Sequence, residues 1–306
     1  MMFFFWPKKF HLRKEPSISG GRVHIPSVVT AHNSLADHRP ATRSPDLQAL
    51  GATAARLTAR FKALDLFERL AAICNEVHGV IVFTTSFGLE DQVIAHAIFA
   101  QNLAVEIVTL DTGRLFPETH QLWAETEQRY GRRICAIVPE HGAVEAFVAQ
   151  HSIDGFRSSV EARRACCGVR KVEPLGRALA GAAAWITGVR AEQSMDRAAM
   201  PYAEVDPLHH LLKVNPLLDW TRSRVVDLVR AHRIPSNPLH DRGFLSIGCA
   251  PCTRAVKPGE SERAGRWWWE QEEKKECGLH SHPAWPGALP AKATDPAPQG
   301  LMSCSA

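Results

Sequence analysis

The chain has 306 residues, of which 45% are hydrophobic and 22% charged, and its formal net charge is +4. This length and apolar content suffice for one large folded core, and so small a net charge does not point to nucleic acid as a partner. Eight cysteines are too few for a secreted disulfide scaffold, and no apolar stretch is long enough to cross a bilayer. We therefore expect a cytoplasmic protein without a membrane or nucleic-acid partner, whose thiols are reduced unless they bind a metal.

The first part of the chain changes character near residue 46. Residues 1–45 show no sustained period, which favours a disordered N-terminal extension. From Asp46 to Val77, residues such as Leu57, Phe61 and Leu64 recur at helical spacing and predict a pair of amphipathic helices.

Short apolar runs then alternate with helical stretches. The helices include one from about Glu90 to Ala100 and one that begins at Pro117. Such alternation is typical of an α/β fold with a parallel sheet covered on both faces. The predicted strands are Val80–Phe83, Ala104–Leu110, Ile134–Val138 and Ala183–Thr187.

Turn residues, cysteines and tryptophans dominate beyond about Asn237. We expect an α/β domain over 46–240 and a C-terminal segment of the same domain over 241–282. Residues 283–306 are rich in Pro, Ala and Ser, which favours a disordered tail.

Two polar patterns follow the ends of predicted strands. Ser86–Asp91 (Ser-Phe-Gly-Leu-Glu-Asp) follows the first strand, and Asp111–Gly113 follows the second. Ligands of parallel sheets bind beyond the carboxyl ends of the strands, and amides at a helix start can bind an anion. The first pattern alone also fits an ordinary strand-to-helix turn.

Four cysteines form two closely spaced pairs. Cys166 and Cys167 are adjacent, whereas Cys249 and Cys252 belong to Cys-Ala-Pro-Cys. Such thiolates suit zinc or an iron–sulfur cluster. Adjacent cysteines on one zinc ion would be strained, whereas a bent backbone lets them ligate separate irons. The pattern therefore favours a cluster, with structural zinc or two unrelated buried pairs as the alternatives.

Basic residues crowd around both cysteine pairs. They form either a solvated basic face or an anion site beside a negatively charged cofactor. We expect Lys171 between cluster and substrate, because it could face both anions. The residues are Arg157, Arg163, Arg164, Arg170, Lys171 and Arg177 near the first pair, and Arg242, Arg254, Lys257, Arg263 and Arg266 near the second.

A fifth cysteine, Cys277, follows the very polar run Glu270–Lys275. A solvent-accessible thiol near cations can ionise and act as a nucleophile, although an incidental surface thiol also fits this position. Cys74 and Cys135 are interpreted as core residues and Cys304 as part of the tail. The tryptophans 267–269 are expected to pack this segment rather than to stack on a base.

Three motifs resemble the assimilatory adenylyl-sulfate (APS) reductases. They are Arg164–Leu175 (Arg-Ala-Cys-Cys-Gly-Val-Arg-Lys-Val-Glu-Pro-Leu), Ile247–Arg254 (Ile-Gly-Cys-Ala-Pro-Cys-Thr-Arg) and Glu276–His280 (Glu-Cys-Gly-Leu-His). The resemblance runs from about Thr84 to His280 in the expected order. It implies a [4Fe–4S] cluster on Cys166, Cys167, Cys249 and Cys252, and Cys277 as the catalytic nucleophile. It further implies reduction of APS to sulfite and AMP, with thioredoxin or a glutaredoxin-like protein as reductant.

The loop Ser86–Asp91 resembles a reduced form of the pyrophosphatase loop of adenylating enzymes. Phe87 replaces the second glycine and the later serine is absent, which fits a ligand with one phosphate and a sulfate. The resemblance implies an adenine nucleotide alpha hydrolase-like (PP-loop type) fold, with a nucleotide-binding reductase domain over 46–240 and a cluster-binding and catalytic segment over 241–282. The predicted substrate-binding residues are Ser86, Phe87, Gly88, Glu90, Asp91, Leu110, Asp111, Gly113, Arg114, Lys171, Gly188, Arg190, Arg263, Arg266 and His280.

The implied mechanism is covalent: the Cys277 thiolate attacks the sulfur of APS, AMP leaves, and a thioredoxin thiol then releases sulfite. The cluster is expected to tune charge rather than to carry electrons, because the thiol route needs no cluster redox step. A reductase for the 3′-phosphorylated nucleotide (PAPS) is an alternative against which the four cysteines argue. A zinc-bearing, ATP-dependent tRNA-modifying adenylase and a non-enzymatic iron–sulfur sensor are further alternatives. The sequence leaves the oligomeric state open, a homo-oligomer included.

Overall fold

A computed structural model describes residues 46–270 and 278–279. The expected N-terminal extension and C-terminal tail lie outside the described residues, as do Cys277, His280 and Cys304, and the proposed domain boundaries stay predictions. In the described part of the chain, no helix is long and apolar enough to cross a membrane.

Two helices precede the sheet, as the helical spacing predicts. Helix α1 spans Leu47–Phe61 and α2 spans Leu66–Glu76. The Asp65 side chain accepts a hydrogen bond from the Glu68 amide, and the Glu68 carboxylate accepts one from the Asp65 amide. This reciprocal cap satisfies two amides that the first turn of α2 leaves without intrahelical partners.

Within the described residues, six strands form one sheet in the order β3-β2-β1-β4-β6-β5. The neighbouring pairs are parallel except β5 and β6, which are antiparallel at the edge. The predicted parallel sheet is therefore confirmed, whereas the final hairpin was not predicted. Its strands are joined by four residues, a connection long enough only for antiparallel pairing. The strands are β1 (Ile81–Thr85), β2 (Glu106–Leu110), β3 (Cys135–Ile137), β4 (Ala184–Ile186), β5 (Ala203–Asp206) and β6 (Leu211–Val214).

Helices connect and flank these strands, and Pro117 begins one of them as predicted. A π-helical turn, Gly168–Val172, joins α6 to α7. From the end of α9 to residue 270, the chain forms only short 3₁₀ turns, bridges and loops. The helices are α3 (Leu89–Ala100), α4 (Pro117–Tyr130), α5 (His141–His151), α6 (Val160–Cys167), α7 (Glu173–Leu179), α8 (Met195–Ala198) and α9 (Arg222–Ala231).

Both faces of the sheet are buried, so its central strands are apolar without alternation. Ile81 and Phe83 of β1 pack into the core that α1, α2, α3 and α9 share. Val82, between them, packs on the opposite side with Leu175 and Leu179 of α7. Successive side chains of a strand point to opposite faces, so a continuous apolar run needs a cover on each.

The strand order places a topological switch point between β1 and β4. The chain passes from β1 through β2 to β3 on one side and then returns to β4 on the other side of β1. In open α/β sheets the crevice at such a point, beyond the carboxyl ends of the strands, binds ligands. Ser86 and Gly188 follow β1 and β4 at this crevice.

Candidate active site

A cavity of about 180 Å³ opens at the crevice between β1 and β4 and extends to the end of β2. We call it the nucleotide cavity, after the ligand that the sequence predicts for it. It contains carboxylates, hydroxyls and cations together, so it can hold a polar, anionic ligand with an apolar base. Nine of the predicted substrate-binding residues line it: Ser86, Gly88, Glu90, Asp91, Leu110, Lys171, Gly188, Arg263 and Arg266.

The Ser86–Asp91 loop is held by its own aspartate. The Asp91 carboxylate accepts hydrogen bonds from the Ser86 amide at 2.6 Å and from the Ser86 hydroxyl at 2.8 Å. A Cβ atom at Gly188 would overlap Asp91, so glycine lets β4 approach the loop. Burial raises the pKa of Asp91 to about 6, although the bonds from Ser86 lower it. Asp91 thus fixes the loop conformation.

Phe87 is a correction to the predicted site. Its side chain is 1% exposed, stacks on Trp123 with ring centroids 5.8 Å apart, and is not part of the cavity wall. Its backbone has a φ of 59°, in the left-handed region. This turn directs the ring into the core, so the Phe87 side chain anchors the loop.

Arg190 also lies behind the cavity. Its fully buried guanidinium donates to Glu90 at 2.7 Å, to Glu192 at 2.8 Å and to Glu262 at 2.8 Å. Burial lowers the pKa of Arg190, but the charges of Glu90 and Glu262 raise it more, so it lies above the ordinary value. Because Glu90 and Glu262 line the cavity, Arg190 positions their carboxylates from behind the wall.

The Asp111–Arg114 turn divides its residues, because Thr112 lines the nucleotide cavity whereas Asp111, Gly113 and Arg114 are not part of its wall. Asp111 accepts from the Gly113 amide at 2.9 Å and pairs with His120 at 3.1 Å. Arg114 pairs with Asp154 at 2.9 Å and lines a second cavity, which also contains the four motif cysteines and which we call the cysteine cavity. Of this family element, Leu110 and Thr112 line the nucleotide cavity.

Several lining residues were missed by the sequence reasoning. Arg197 is 8% exposed and donates to Gln193 at 2.5 Å, and both side chains line the cavity. Their only sequence signal is that they follow Gly188–Arg190 closely. The other missed polar residues of the wall are Thr84, Thr85, Thr109, Thr112, Thr119, Thr187, His240, Ser246 and Glu262, and the missed aromatics are Trp185 and Trp267.

All four motif cysteines line one second cavity, although the pairs are about eighty residues apart in sequence. Cys166 and Cys167 end α6, whereas Cys249 and Cys252 flank a 3₁₀ turn. Burial raises the pKa of the Cys166 thiol, and the nearby Cys249 raises it further. Burial raises the pKa of Cys252 to about 11, with added repulsion from Cys249 and Cys166. The sulfurs of these three residues are therefore close enough to interact electrostatically.

The backbone beyond Cys167 is bent in the way that adjacent ligands require. The α-helix widens there into the π turn Gly168–Val172. In the described residues, no group of three or more His, Cys, Asp or Glu side chains is arranged to hold a single metal ion. Four thiol donors around one shared cavity are the donor set that an iron–sulfur cluster requires.

Cys249 differs from the other cysteines. Burial raises its pKa, but Lys171, the Thr112 hydroxyl and Arg266 lower it more, so it lies below the ordinary value. The Thr112 hydroxyl lies 3.3 Å from the sulfur, and the Thr112 carbonyl accepts from Arg170 at 2.6 Å. This wall of the cavity therefore favours negative charge.

The two cavities share a wall. Lys171, Arg266 and Trp267 line both of them. The Arg266 guanidinium lies 4.7 Å from the Trp267 ring centroid and fills the space into which a side chain at Gly248 would project. The cations Lys171 and Arg266 thus lie between the four thiols and the nucleotide cavity, which is the position predicted for Lys171.

The basic residues near the cysteines divide into two groups. Arg242, Arg254 and Arg177 are half-buried or exposed and form ion pairs with glutamates at the surface. Those that line a cavity are Arg114, Arg163, Arg170, Lys171, Arg263 and Arg266. The surface ion pairs are those of a solvated basic face, whereas the cavity-lining cations lie where an anion site is predicted.

The tryptophan run packs as predicted, but Trp267 also reaches the nucleotide cavity. Trp269 lies 6.1 Å from the Phe156 ring, and Trp267 is 1% exposed. Leu279 lines the nucleotide cavity as well. Cys74 and Cys135 are half-buried and pack against the core clusters.

Comparison with known proteins agrees with this geometry. Residues 80–255 match the phosphoadenosine phosphosulfate reductase domain. The chain is 55% identical to an adenosine 5′-phosphosulfate reductase of Sinorhizobium fredii (strain USDA 257), over 76% of this chain and 92% of that protein. It is 52% identical to one of Allochromatium vinosum, over 74% and 90% of the two chains. Among solved structures, it is similar to a phosphoadenylyl-sulfate (PAPS) reductase from Candida auris in a phosphate complex, with 27% identity and a TM-score of 0.57 over 66% of this chain and 96% of that one.

Proposed function

The chain belongs to the phosphoadenosine phosphosulfate reductase family, and we propose that it moves the sulfur of adenosine 5′-phosphosulfate (APS) onto Cys277 and releases it as sulfite. The enzyme reduces APS in sulfate assimilation, as an oxidoreductase acting on a sulfur group. The nucleophile, the cluster, the reductant and the compartment are the proposed parts.

One observation carries the proposal: a nucleotide-sized cavity and a four-thiol cavity share the wall of Lys171, Arg266 and Trp267. APS brings a phosphate and a sulfate joined by an anhydride oxygen. Cations at this wall offset the charge of both groups, which is the electrostatic help that an attack on sulfate needs. Arg197 and Arg263 add positive charge to the same cavity.

The Ser86–Asp91 loop and Leu110 are assigned to the nucleotide. The loop precedes the N-terminus of α3, whose first amides favour an anion. Glu90 and Glu262 lie in the same cavity, so a ligand with few phosphates is favoured over a triphosphate. These contacts support a mononucleotide that carries one sulfate.

Cys166, Cys167, Cys249 and Cys252 would hold a [4Fe–4S] cluster. When bound, it would supply a fixed local charge beside Lys171 rather than a redox step. Arg163 and Arg170 line the same cavity and offset the negative charge of the thiolates.

The proposed chemistry balances through thiols alone. The Cys277 thiolate attacks the sulfate sulfur, the bond from sulfur to the bridging oxygen breaks, and AMP leaves with that electron pair. Cys277 then carries a thiosulfonate. A thiolate of an external dithiol attacks the Cys277 sulfur, sulfite leaves with the electron pair of the sulfur–sulfur bond, and a mixed disulfide between Cys277 and the reductant forms. The second thiol of the reductant then attacks this disulfide, closes a disulfide on the reductant and releases Cys277 as a thiolate.

Thioredoxin, or a glutaredoxin-like protein, is the proposed reductant, because both present a reactive dithiol. The need for a reduced dithiol pool supports a cytoplasmic location. Leu279 lines the nucleotide cavity, and Cys277 precedes it by two residues in the sequence. This adjacency, with the Glu-Cys-Gly-Leu-His motif, supports Cys277 as the nucleophile.

The test is an anaerobic purification followed by an assay of sulfite release. We expect a brown protein with broad absorption near about 400 nm, as thiolate-bound iron–sulfur centres give. We expect sulfite from APS, with reduced thioredoxin as the electron source, and much less from PAPS. A colourless, zinc-containing protein that releases no sulfite would contradict the proposal, and faster turnover of PAPS would change its substrate.

A further inference from the structure

A buried ion pair lies beside the cysteine cavity and outside the wall of the nucleotide cavity. Arg163 Nε donates to Glu270 Oε1 at 2.6 Å, and the two side chains are only 1% and 5% exposed. Arg163 lies on α6, four residues before Cys167. Glu270 is seven residues before Cys277 in the sequence. The pair therefore joins the helix of the adjacent cysteines to the start of the segment that carries the proposed nucleophile.

Arg163 responds to both neighbours. Burial lowers its pKa, but the hydrogen bond and charge of Glu270 and the nearby Cys167 raise it more, so it lies above the ordinary value. A buried cation that loses its carboxylate is strongly disfavoured. The position of Glu270 is thus tied to α6 by charge as well as by a hydrogen bond.

The residues just before Glu270 are fixed to the same place. The Arg163 guanidinium lies 4.6 Å from the Trp267 ring centroid. The Trp267 amide donates to the Cys252 carbonyl at 3.1 Å, and the Glu270 amide donates to the Trp267 carbonyl at 2.8 Å. Side chains and backbone therefore hold residues 267–270 against both cysteine pairs.

We propose that Glu270 is a positioning residue whose ion pair with Arg163 fixes residues 267–270 against α6 and so sets how Cys277, seven residues later in the sequence, approaches the substrate sulfur. This inference rests on the proposed role of Cys277. Leu279 follows Cys277 by two residues in the sequence. It packs against the apolar cluster that contains Leu175 and against the cluster that contains Trp267. A displacement of a reacting group by about 1 Å can cost about a hundredfold in rate. Loss of this anchor therefore slows the attack on sulfur and leaves nucleotide binding unchanged.

The variant Glu270→Gln tests this role. It keeps the size of the side chain and an oxygen acceptor for Arg163, but removes the charge. The matched control is Glu260→Gln, which removes a carboxylate from the exposed Arg254–Glu260 pair of the same C-terminal segment. In the cluster-loaded proteins, APS is added without reductant, and the thiosulfonate on Cys277 is followed by mass spectrometry. We expect Glu270→Gln to form it about tenfold or more slowly, with the affinity for AMP unchanged and Glu260→Gln at the wild-type rate.

A second readout separates position from thiol ionisation. Alkylation of Cys277 by iodoacetamide, with and without the cluster, reports the thiolate fraction and its access. We expect this rate to be unchanged in Glu270→Gln while thiosulfonate formation falls. Equal falls in both rates, or a wild-type rate of thiosulfonate formation, would overturn the role of Glu270.

Glu270→Asp keeps the charge, so it leaves no unpaired cation and guards against a variant that does not fold. It draws the carboxylate back by one methylene and should also slow thiosulfonate formation; a wild-type rate in this folded variant would again overturn the role. A thiosulfonate on another cysteine of the wild-type protein would instead refute the proposed nucleophile, and the inference with it.

Discussion

The two cavities of this protein are built in different ways. The nucleotide cavity lies where parallel strands end, and its loops follow β1, β2 and β4 directly. The cysteine cavity lies beyond the sheet and forms only when α6, the turn after Cys249 and Trp267 pack together. The first is a property of the sheet topology, whereas the second depends on contacts between segments distant in sequence. The shared wall of Lys171, Arg266 and Trp267 links them.

The largest expected effect concerns Cys277, the proposed nucleophile, which is not among the described residues of either cavity wall. Cys277→Ser should lower sulfite release by at least about a thousandfold, because loss of a covalent nucleophile removes the reaction path. Absorption near about 400 nm should persist, since the variant keeps all four proposed cluster ligands. Cys74→Ala, at a half-buried core cysteine, serves as the control and should keep both properties. Wild-type turnover of Cys277→Ser would move the nucleophile to another residue.

Removal of one cysteine from the second cavity tests whether the cavities are separable. Cys252→Ser should lose most bound iron and nearly all sulfite release, because the fourth thiolate ligand is gone. AMP binding to the same protein, measured by calorimetry, should persist, because the strand-end loops do not depend on the cysteines. Loss of AMP binding together with iron would show instead that the two cavities form one folding unit.

Lys171 tests the shared wall directly. Lys171→Met keeps most of the apolar stem and removes the charge, so kcat/KM for APS should fall about 10- to 100-fold, the usual range for a charge-assisted hydrogen bond. Lys257→Met, at an exposed lysine of the same basic run, is the control and should stay within about twofold. Equal losses in the two variants would mean that the general positive field matters and the shared wall does not.

The smallest effect belongs to Asp91, which fixes the nucleotide loop. Its pKa is raised to about 6 from 3.8, so between these two pH values the folded protein holds a proton that the unfolded chain has released. Stability from this group is therefore present at low pH and is lost as the pH rises through about 6. Wild type should lose about 1 kcal/mol relative to Asp91→Asn between about pH 5 and 7, measured by urea unfolding. Parallel pH profiles for the two proteins would contradict the raised pKa.

The cysteine assignments were predictable because their signal is local and chemical. Adjacent Cys166 and Cys167 and the Cys-Ala-Pro-Cys turn are uncommon spacings whose donor chemistry limits the choice of ligand. The structure places all four around one cavity as expected. The strands and helices of the sheet were predictable for a related reason, since apolar runs between turn residues report burial on both faces.

The nucleotide residues were predictable only in part. The Ser86–Asp91 motif located the loop, but it could not show that Phe87 turns into the core on a left-handed backbone. The motif predicted that Arg190 contacts the substrate, but it could not show that three carboxylates surround its guanidinium. A sequence motif gives the type of a side chain but not the direction in which the fold points it.

The sequence by itself determined the α/β class, the parallel strands, the two cysteine pairs and a fifth cysteine in a polar segment, because each of these is recorded in the spacing of neighbouring residues. The tertiary structure alone decided that Arg197, His240 and Glu262 face the nucleotide cavity, that Arg266 joins Lys171 between the cavities, and that Arg163 holds Glu270. These juxtapositions join residues far apart along the chain. They are set by how helices and loops pack on the sheet, which no local pattern encodes.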